Sequence, residues 1–252
     1  MRGNKVNDNL VKMLGTNNNI IINSNFTNPV NQRGWDSTYT NTAETASKYW
    51  IDRWKFSKNV GRTELRVNDG YISIIQAAAE KSYGYLTQVV EFPNTYSGKK
   101  IALSCKYRAT KGGKASILSL INTSNKIVVS QLICDGEWHI FTKVVEVSSA
   151  CDYFEPLRFV VGNITGNEYN WGSVNIGDLS VDTTLNIEWA KAEVSDFCTP
   201  YVPRLYAEEL QLCRRYFRYG STNAQSIYDF PMRVTPRITS VATGKYSYDA
   251  EL

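Results

Sequence analysis

Apolar and polar residues alternate with a period of two along most of the chain after Tyr49, the pattern of half-buried β-strands. The clearest segment places Ile101, Leu103, Cys105 and Tyr107 on one side of a strand. The residues between and beside them are mostly polar or small: Lys100, Ala102, Ser104, Lys106 and Arg108. Similar alternation predicts further strands at Thr63–Leu65–Val67, Leu86–Gln88–Val90–Phe92, Phe141–Lys143–Val145–Val147 and Leu185–Ile187–Trp189.

Two longer apolar runs, Ile127–Ile133 and Leu157–Val161, predict strands that are covered on both faces. Turn signals separate the strands, at Asn68-Asp69-Gly70, Ser97-Gly98, Lys111-Gly112-Gly113, Asp135-Gly136 and Thr165-Gly166-Asn167. The first and fourth of these turns are typical of tight hairpins. About ten short strands without intervening helices predict an all-β fold, either a sandwich or a barrel.

Two segments depart from this pattern and predict short helices. Val6, Leu10 and Leu14 follow a helical spacing near the start, in a segment that is either frayed or docked on a partner. A second apolar stripe is formed by Tyr206, Leu210, Cys213 and Phe217. Acidic residues lie early in this second segment, arginines lie late, and Gly220 follows, so we expect a helix over about residues 205–219.

The last residues predict an edge strand or an extended arm. Ile227–Phe230 and Arg237–Val241 have the composition of short strands, and Pro231 and Pro236 divide them. Proline lacks a backbone N–H and is therefore confined to edge strands or bulges in sheets.

Composition argues against catalysis and against a nucleic-acid partner. The 252 residues include 16 Tyr, 9 Phe and 6 Trp but one His, which leaves little room for His-based chemistry or a multi-His metal site. The net charge is +4, without a dense Lys/Arg run. We find neither an apolar signal core nor a membrane-spanning run. The five cysteines form no CxxC pair and are expected to be small buried side chains in a reducing compartment.

Several short sequence motifs occur in a fixed order along the chain. Ile20–Gly34 reads IIINSNFTNPVNQRG, and Tyr49–Trp54 reads YWIDRW. Later come WAKAEV from Trp189, TPYVPR from Thr199, YAEELQLCRRYF from Tyr206, PMRVTP from Pro231 and a final DAEL. From about Ile20 to the end, this set resembles the jelly-roll domain of bacteriophage tail fibres and related virion proteins.

The resemblance implies an all-β jelly-roll β-sandwich, related in shape to carbohydrate-binding modules, with one short C-terminal helix and an extended tail. It divides the chain into an attachment or docking segment (1–19), the jelly roll (20–204), and a helix and tail (205–252) that pack on the sandwich or on a neighbouring subunit. It further implies a homotrimer that contacts other virion proteins. We expect a virion location after assembly in the bacterial cytoplasm, with no membrane insertion.

A sugar-binding site needs exposed rings that stack on the apolar faces of sugars, beside polar groups that bind hydroxyls. Our candidates are Tyr83, Tyr85, Tyr169 and Trp171, with Asn167 and Asn170 as polar contacts. The alternative interpretation is that these aromatic residues bind no sugar and simply lie at strand edges or at contacts between subunits.

Other conspicuous residues are predicted to be structural. Trp138 and Trp189 lie in alternating strands and are expected in the core, and His139 is expected to be a surface or hydrogen-bonded residue. Asp52 and Arg53 are expected to form an ion pair beside an aromatic residue.

Three functions stay open from the sequence. The first is a tail-fibre or tail-tip virion protein that contributes to recognition of host-surface glycans. The second is a purely structural decoration or adaptor protein. The third is a polysaccharide-degrading enzyme or its accessory module, which would need paired carboxylates such as those among Asp178, Asp182, Glu188 and Glu193. We favour the first, and predict no catalytic residue, no metal site and no cofactor.

Overall fold

A computed structural model describes residues 18–34, 38–41, 46–58, 63–78, 84–121, 126–164, 168–170, 176–177, 179–220 and 232–251. The first fourteen strands are β1 (Thr38–Asn41), β2 (Ala46–Ile51), β3 (Trp54–Lys58), β4 (Thr63–Asn68), β5 (Tyr71–Gln76), β6 (Gly84–Thr87), β7 (Lys100–Ala109), β8 (Ala115–Ile121), β9 (Lys126–Gln131), β10 (Trp138–Glu146), β11 (Phe154–Val161), β12 (Asn163–Ile164), β13 (Glu168–Asn170) and β14 (Ile176–Gly177). The remaining elements are β15 (Thr183–Val194), helix α1 (Tyr206–Arg214), β16 (Phe217–Gly220), β17 (Arg237–Ala242), β18 (Lys245–Asp249) and a 3₁₀ helix at Pro93–Tyr96.

Two large antiparallel sheets form a β-sandwich of the jelly-roll class, which confirms the predicted fold. One sheet has six strands in the order β1-β4-β5-β15-β7-β10, and the other has seven in the order β13-β9-β8-β11-β6-β3-β2. Neighbours in each sheet are mostly distant in sequence, so most strands depend on long-range pairing. Residues of alternate parity face the interior, as the period of two requires.

The main core lies between the two sheets. Trp54 is completely buried, lies 5.1 Å from Phe26 and 6.0 Å from Phe159 between ring centroids, and donates a hydrogen bond from Nε1 to the Asn23 carbonyl at 2.7 Å. The six-stranded sheet contributes residues such as Leu65, Ile72, Ile74, Ile101, Leu103, Cys105, Leu185 and Ile187. The seven-stranded sheet contributes Phe56, Leu86, Ile117, Phe154, Leu157 and Phe159. Burial of this apolar surface is the main stabilising contribution to the sandwich.

The two predicted hairpin turns have different roles. Asp69 and Gly70 join β4 to β5 in a two-residue hairpin, and Gly70 adopts φ 89°, which glycine allows without a side-chain clash. Asp135-Gly136 is not a hairpin: it lies between β9 of one sheet and β10 of the other. The hairpin prediction failed there because turn composition cannot show which sheet the next strand joins.

Helix α1 is shorter than predicted, since it ends at Arg214. Residues from Phe217 instead form β16, which pairs with β18 near the end of the chain. Strand pairing therefore overrides the helical periodicity of the last turn. The described part of the chain contains no helix long and apolar enough to cross a membrane. The predicted helix around Val6–Leu14 lies outside the described residues.

The tail folds into its own antiparallel sheet, in the order β16-β18-β17. Strand β17 is at the edge of this sheet, where the sequence predicted an edge strand, and all six of its residues are exposed. Strand β18 is central, with Tyr248 completely buried. The other predicted tail strand, Ile227–Phe230, lies outside the described residues.

All five cysteines are free thiols. Cys105, Cys151 and Cys213 are buried, while Cys134 and Cys198 are half-buried. Burial raises the pKa of the Cys105 thiol, so this side chain behaves as a small hydrophobic group.

Candidate functional site

The sequence-predicted sugar contacts that the structure describes lie on two strands of the seven-stranded sheet. Tyr83, Asn167 and Trp171 lie outside the described residues. Tyr169 and Asn170 lie in β13, where the register pairs Tyr169 with Ile127 and Asn170 with Lys126. Tyr85 lies in β6, and three strands separate β6 from β13. This spacing, about 19 Å at the usual inter-strand distance, separates the backbone positions of Tyr85 and Tyr169.

Tyr85 is half-buried and takes part in structural contacts on its own sheet. The guanidinium carbon of Arg158 lies 4.2 Å from the centroid of the Tyr85 ring. Arg158 also pairs with the buried carboxylate of Glu155 at 2.7 Å, and Glu155 accepts a hydrogen bond from Thr87. Beside them, a second apolar cluster lies on this face: Leu118, Leu120, Ile127, Val129, Val160 and Ile164. Tyr85 packs against this cluster.

Trp138 and Trp189 were predicted to be core, and this prediction is wrong for both. Each is partly exposed on the outer face of the six-stranded sheet. Trp138 pairs with Arg108, whereas the interior residue Phe141 pairs with Cys105, so Trp138 is out of phase with the buried side of β10. In β15, a register shift between Ile187 and Trp189 moves Trp189 to the outer face.

Four side chains on this outer face form what we call the aromatic–cation platform: Tyr71, Lys106, Arg108 and Trp138. The rings of Tyr71 and Trp138 meet edge to face, with centroids 5.8 Å apart. The guanidinium carbon of Arg108 lies 5.0 Å from the Trp138 centroid and 5.7 Å from the Tyr71 centroid. The Lys106 ammonium lies 5.4 Å from the Trp138 centroid. Cation–π attraction therefore restrains both rings and both cations.

A hydrogen-bonded chain of polar side chains borders the platform. Asn68 Nδ2 donates to Ser73 Oγ at 2.7 Å, and Ser73 Oγ donates to Asn186 Oδ1 at 2.7 Å. The register places Asn186 directly opposite Arg108. The amide nitrogen of Asn186 has no acceptor among the residues that the structure describes. Asn186 is 8% exposed, and its two amide N–H groups are unused as donors among the described residues.

A second aromatic group lies on the same face, beside Lys106 and two residues along β7 from Arg108. Trp189 stacks flat on Tyr201, with ring centroids 4.6 Å apart and an interplanar angle of 1°. The register pairs Trp189 with Lys106, and Lys106 Nζ forms an ion pair with Glu188 at 2.6 Å. Since residues two apart on a strand differ by about 6.8 Å, this stack extends the ring-lined face beyond the Arg108 row.

The carboxylates considered for catalysis each have a structural contact where the structure describes them. Asp182 accepts the Ala78 N–H at 2.7 Å, and Glu188 pairs with Lys106. Glu193 is buried, pairs with Lys191 at 3.2 Å and accepts the Thr199 N–H, and these contacts lower its pKa despite the opposing effect of burial. Asp178 lies outside the described residues.

His139 is a hydrogen-bonded surface residue, since its Nε2 lies 2.9 Å from Asp135 Oδ1 and its ring lies 5.7 Å from that of Tyr107. Within the described ranges, no group of three or more His, Cys, Asp or Glu side chains is placed to hold a metal ion.

Charged residues at the β2–β3 turn contact the end of the chain. The sequence suggested that Asp52 and Arg53 pair with each other, but their partners are elsewhere. Arg53 pairs with Glu251 at 2.5 Å and lies 3.6 Å from the Tyr216 ring centroid. Asp52 accepts the Gln32 N–H at 2.5 Å, and burial raises its pKa to about 7. This cluster is a structural connection between sandwich and tail, away from the platform residues.

The chain matches no protein-family model and no curated protein. Among solved structures, it is similar to the enzymatically active domain of tailspike protein 4 from bacteriophage CBA120, with 12% identity and a TM-score of 0.39. The similarity covers 71% of this chain and 22% of the tailspike domain. The chain thus spans about a fifth of that domain.

Two carbohydrate-binding modules of family 29 are also similar to the chain. One is a mutant module, with 12% identity, a TM-score of 0.39, and coverage of 65% of this chain and 99% of that one. The other, from Piromyces equi, has 11% identity, a TM-score of 0.34, and coverage of 62% and 91%.

Proposed function

We propose that this protein is a non-enzymatic carbohydrate-binding protein whose ligand lies on the outer face of the six-stranded sheet. The observation that carries the proposal is the aromatic–cation platform. Two partly exposed rings and a guanidinium converge there from three strands of one sheet, and the Asn186 amide on a fourth strand borders them. Sugars combine apolar C–H faces with hydroxyls, so a platform of rings beside directional polar groups fits their chemistry.

The platform is also pre-organised. Its residues lie on β5, β7 and β10, and the bordering Asn186 lies on β15; inward residues of these four strands belong to the main core. Interactions with Arg108 restrain the Tyr71 and Trp138 rings before any ligand arrives. Binding therefore orders few side chains, which reduces the entropic cost of association.

We further propose that the protein belongs to a bacteriophage particle and contributes there to attachment to the bacterial surface. Support for this comes from the ordered phrases between Ile20 and the end of the chain, which resemble those of tail-fibre jelly rolls. Homotrimerisation and contact with other virion proteins are parts of the same proposal. Mass spectrometry of purified particles from the host is the direct test, since a virion protein must co-purify with them at a fixed stoichiometry.

A glycan array followed by calorimetry on the strongest ligand tests carbohydrate binding. We expect Trp138→Ala to weaken binding about tenfold or more, the usual effect of truncating a central aromatic contact. Ile140→Ala is the matched control because Ile140 is exposed on the same face of β10. Trp171→Ala and Tyr169→Ala test the site that the sequence alone suggested.

Each outcome of this experiment discriminates between functions. Loss of binding in Trp171→Ala or Tyr169→Ala, with Trp138→Ala unaffected, would assign the sugar to the residues that the sequence suggested and refute the platform. Absence of glycan binding together with stable assembly on virion proteins would favour a purely structural adaptor. Release of reducing ends from host polysaccharide, abolished by a carboxylate substitution, would establish an enzyme instead.

A further inference from the structure

Arg108 carries an uncompensated positive charge at the centre of the platform. In the described part of the chain, no carboxylate lies within 4.0 Å of its guanidinium and no acceptor takes its side-chain N–H groups. Among those same residues, its guanidinium contacts the rings of Tyr71 and Trp138. The side chain is partly exposed, so its donors can reach a ligand.

The other cation of the platform, Lys106, and Arg66 on the same face are already paired. Lys106 forms its ion pair with Glu188 at 2.6 Å, and Arg66 pairs with Glu64 at 2.6 Å. The nearby carboxylate of Asp135 is engaged by His139 at 2.9 Å. Arg108 is therefore the charge on the platform that still requires a partner.

We propose that the sugar bound here is acidic, and that Arg108 binds its carboxylate or phosphate group. This inference rests on the proposed function, because it specifies the ligand of the same site. A guanidinium presents its N–H donors in a planar fork that matches two oxygens of such an anion. The two rings restrain Arg108 before binding, so little conformational freedom is lost when the anion arrives.

The neighbouring groups complete a site for a sugar that carries one negative charge. The anion would lie at Arg108, the sugar ring would contact the exposed surface of Trp138 or Tyr71, and the Asn186 amide would donate to a hydroxyl. The paired Lys106 and Glu188 contribute little net charge. A ligand with a single anionic group per binding position therefore suits the charge distribution better than a neutral one or a heavily sulfated one.

The test measures the wild-type protein on an array that contains neutral, uronate-bearing, sialylated and phosphorylated glycans. We expect the strongest ligands to be acidic, and chemical reduction of their carboxyl groups or enzymatic removal of phosphate to weaken binding about tenfold or more. The treatment that weakens binding identifies the anion as a carboxylate or as a phosphate. Binding should also weaken as salt rises from about 50 to about 500 mM, since a partly exposed ion pair is screened.

Arg108→Gln should lose the preference for acidic glycans, and Arg108→Lys should recover it in part because the charge is kept without the fork. Arg66→Gln is the matched control: it removes the same charge from the same face, at a residue already paired with Glu64. We expect unchanged affinity in Arg66→Gln. Circular dichroism and thermal unfolding of the variants confirm that the comparison concerns folded protein.

The two proposals fail in different ways. If the bound glycans are neutral and Arg108→Gln binds them as well as wild type, the acidic ligand is refuted while carbohydrate binding stands. If Arg66→Gln weakens binding as much as Arg108→Gln, the preference for acidic glycans comes from general electrostatic attraction, and the specific contact with Arg108 is refuted. If no glycan binds at all, carbohydrate binding is refuted and the acidic ligand with it.

Discussion

The guanidinium of Arg53 lies 2.5 Å from the carboxylate of Glu251, although 198 positions separate the two residues in the sequence. Both side chains are almost completely buried, with 1% and 3% exposure. Glu251 also pairs with Arg33 at 3.3 Å, and the Arg53 guanidinium packs on the Tyr216 ring. The β2–β3 turn of the sandwich is thus connected to the end of the chain through buried charges.

Glu251→Gln should destabilise the protein strongly, because it leaves Arg53 buried without its countercharge. Breaking one partner of a buried pair costs about 3–5 kcal/mol. Urea unfolding measures the loss, and limited proteolysis should show earlier cleavage within the tail. Arg66→Ala is the control, since the Arg66 side chain is exposed and its pair with Glu64 should contribute about 1 kcal/mol or less. A loss in Glu251→Gln no larger than in this control would show that the buried pair does not stabilise the tail.

The raised pKa of Asp52 predicts a pH dependence of stability. Burial is its largest cause and outweighs the lowering effects of the Gln32 N–H and of Arg33. Because the pKa rises from 3.8 to about 7 on folding, the folded state holds this proton more tightly than the unfolded state. The contribution of Asp52 is therefore fully present below about pH 4 and is lost as pH rises through about 7.

Asp52→Asn removes this titration. A shift from 3.8 to about 7 corresponds to roughly 4 kcal/mol, so wild type should lose up to that amount relative to the variant between about pH 4 and pH 8. Denaturant unfolding at several pH values gives the difference in unfolding free energy at each. A difference that stays constant with pH, or that changes in favour of wild type as pH rises, would contradict the raised pKa.

The parallel stack of Trp189 and Tyr201 should appear as a coupling energy in a double-mutant cycle. We expect about 1 kcal/mol between Trp189→Ala and Tyr201→Ala, the usual value for aromatic pairs beyond the area they bury. Tyr201→Phe is the matched control: it keeps the ring and removes only the hydroxyl, which lies 3.4 Å from Ser24 Oγ. If the coupling energy with Trp189→Ala is the same for Tyr201→Phe as for Tyr201→Ala, the stacking of the two rings contributes nothing.

Strand periodicity, and with it much of the candidate site, is predictable from the sequence alone. The alternation in β7 predicted that Lys106 and Arg108 lie on one face of the strand and the buried Leu103 and Cys105 on the other face. The same rule, applied to the phase of Phe141 and Val145, would have placed Trp138 on the outer face as well. The general preference for buried tryptophan led to the wrong prediction, although the local pattern already contained the correct one.

Which of these residues meet depends on the tertiary structure. Tyr71 and Trp138 lie on β5 and β10, which are separated by β15 and β7, and nothing local to either strand specifies that order. The register shift before Trp189 reverses its side, and a shift of one residue leaves no trace in an alternating pattern. Arg53 and Glu251 likewise pair only because the tail returns to the sandwich. Period-two alternation is a local property that each strand shows in its own sequence, whereas strand order, bulges and tail docking depend on contacts between distant segments.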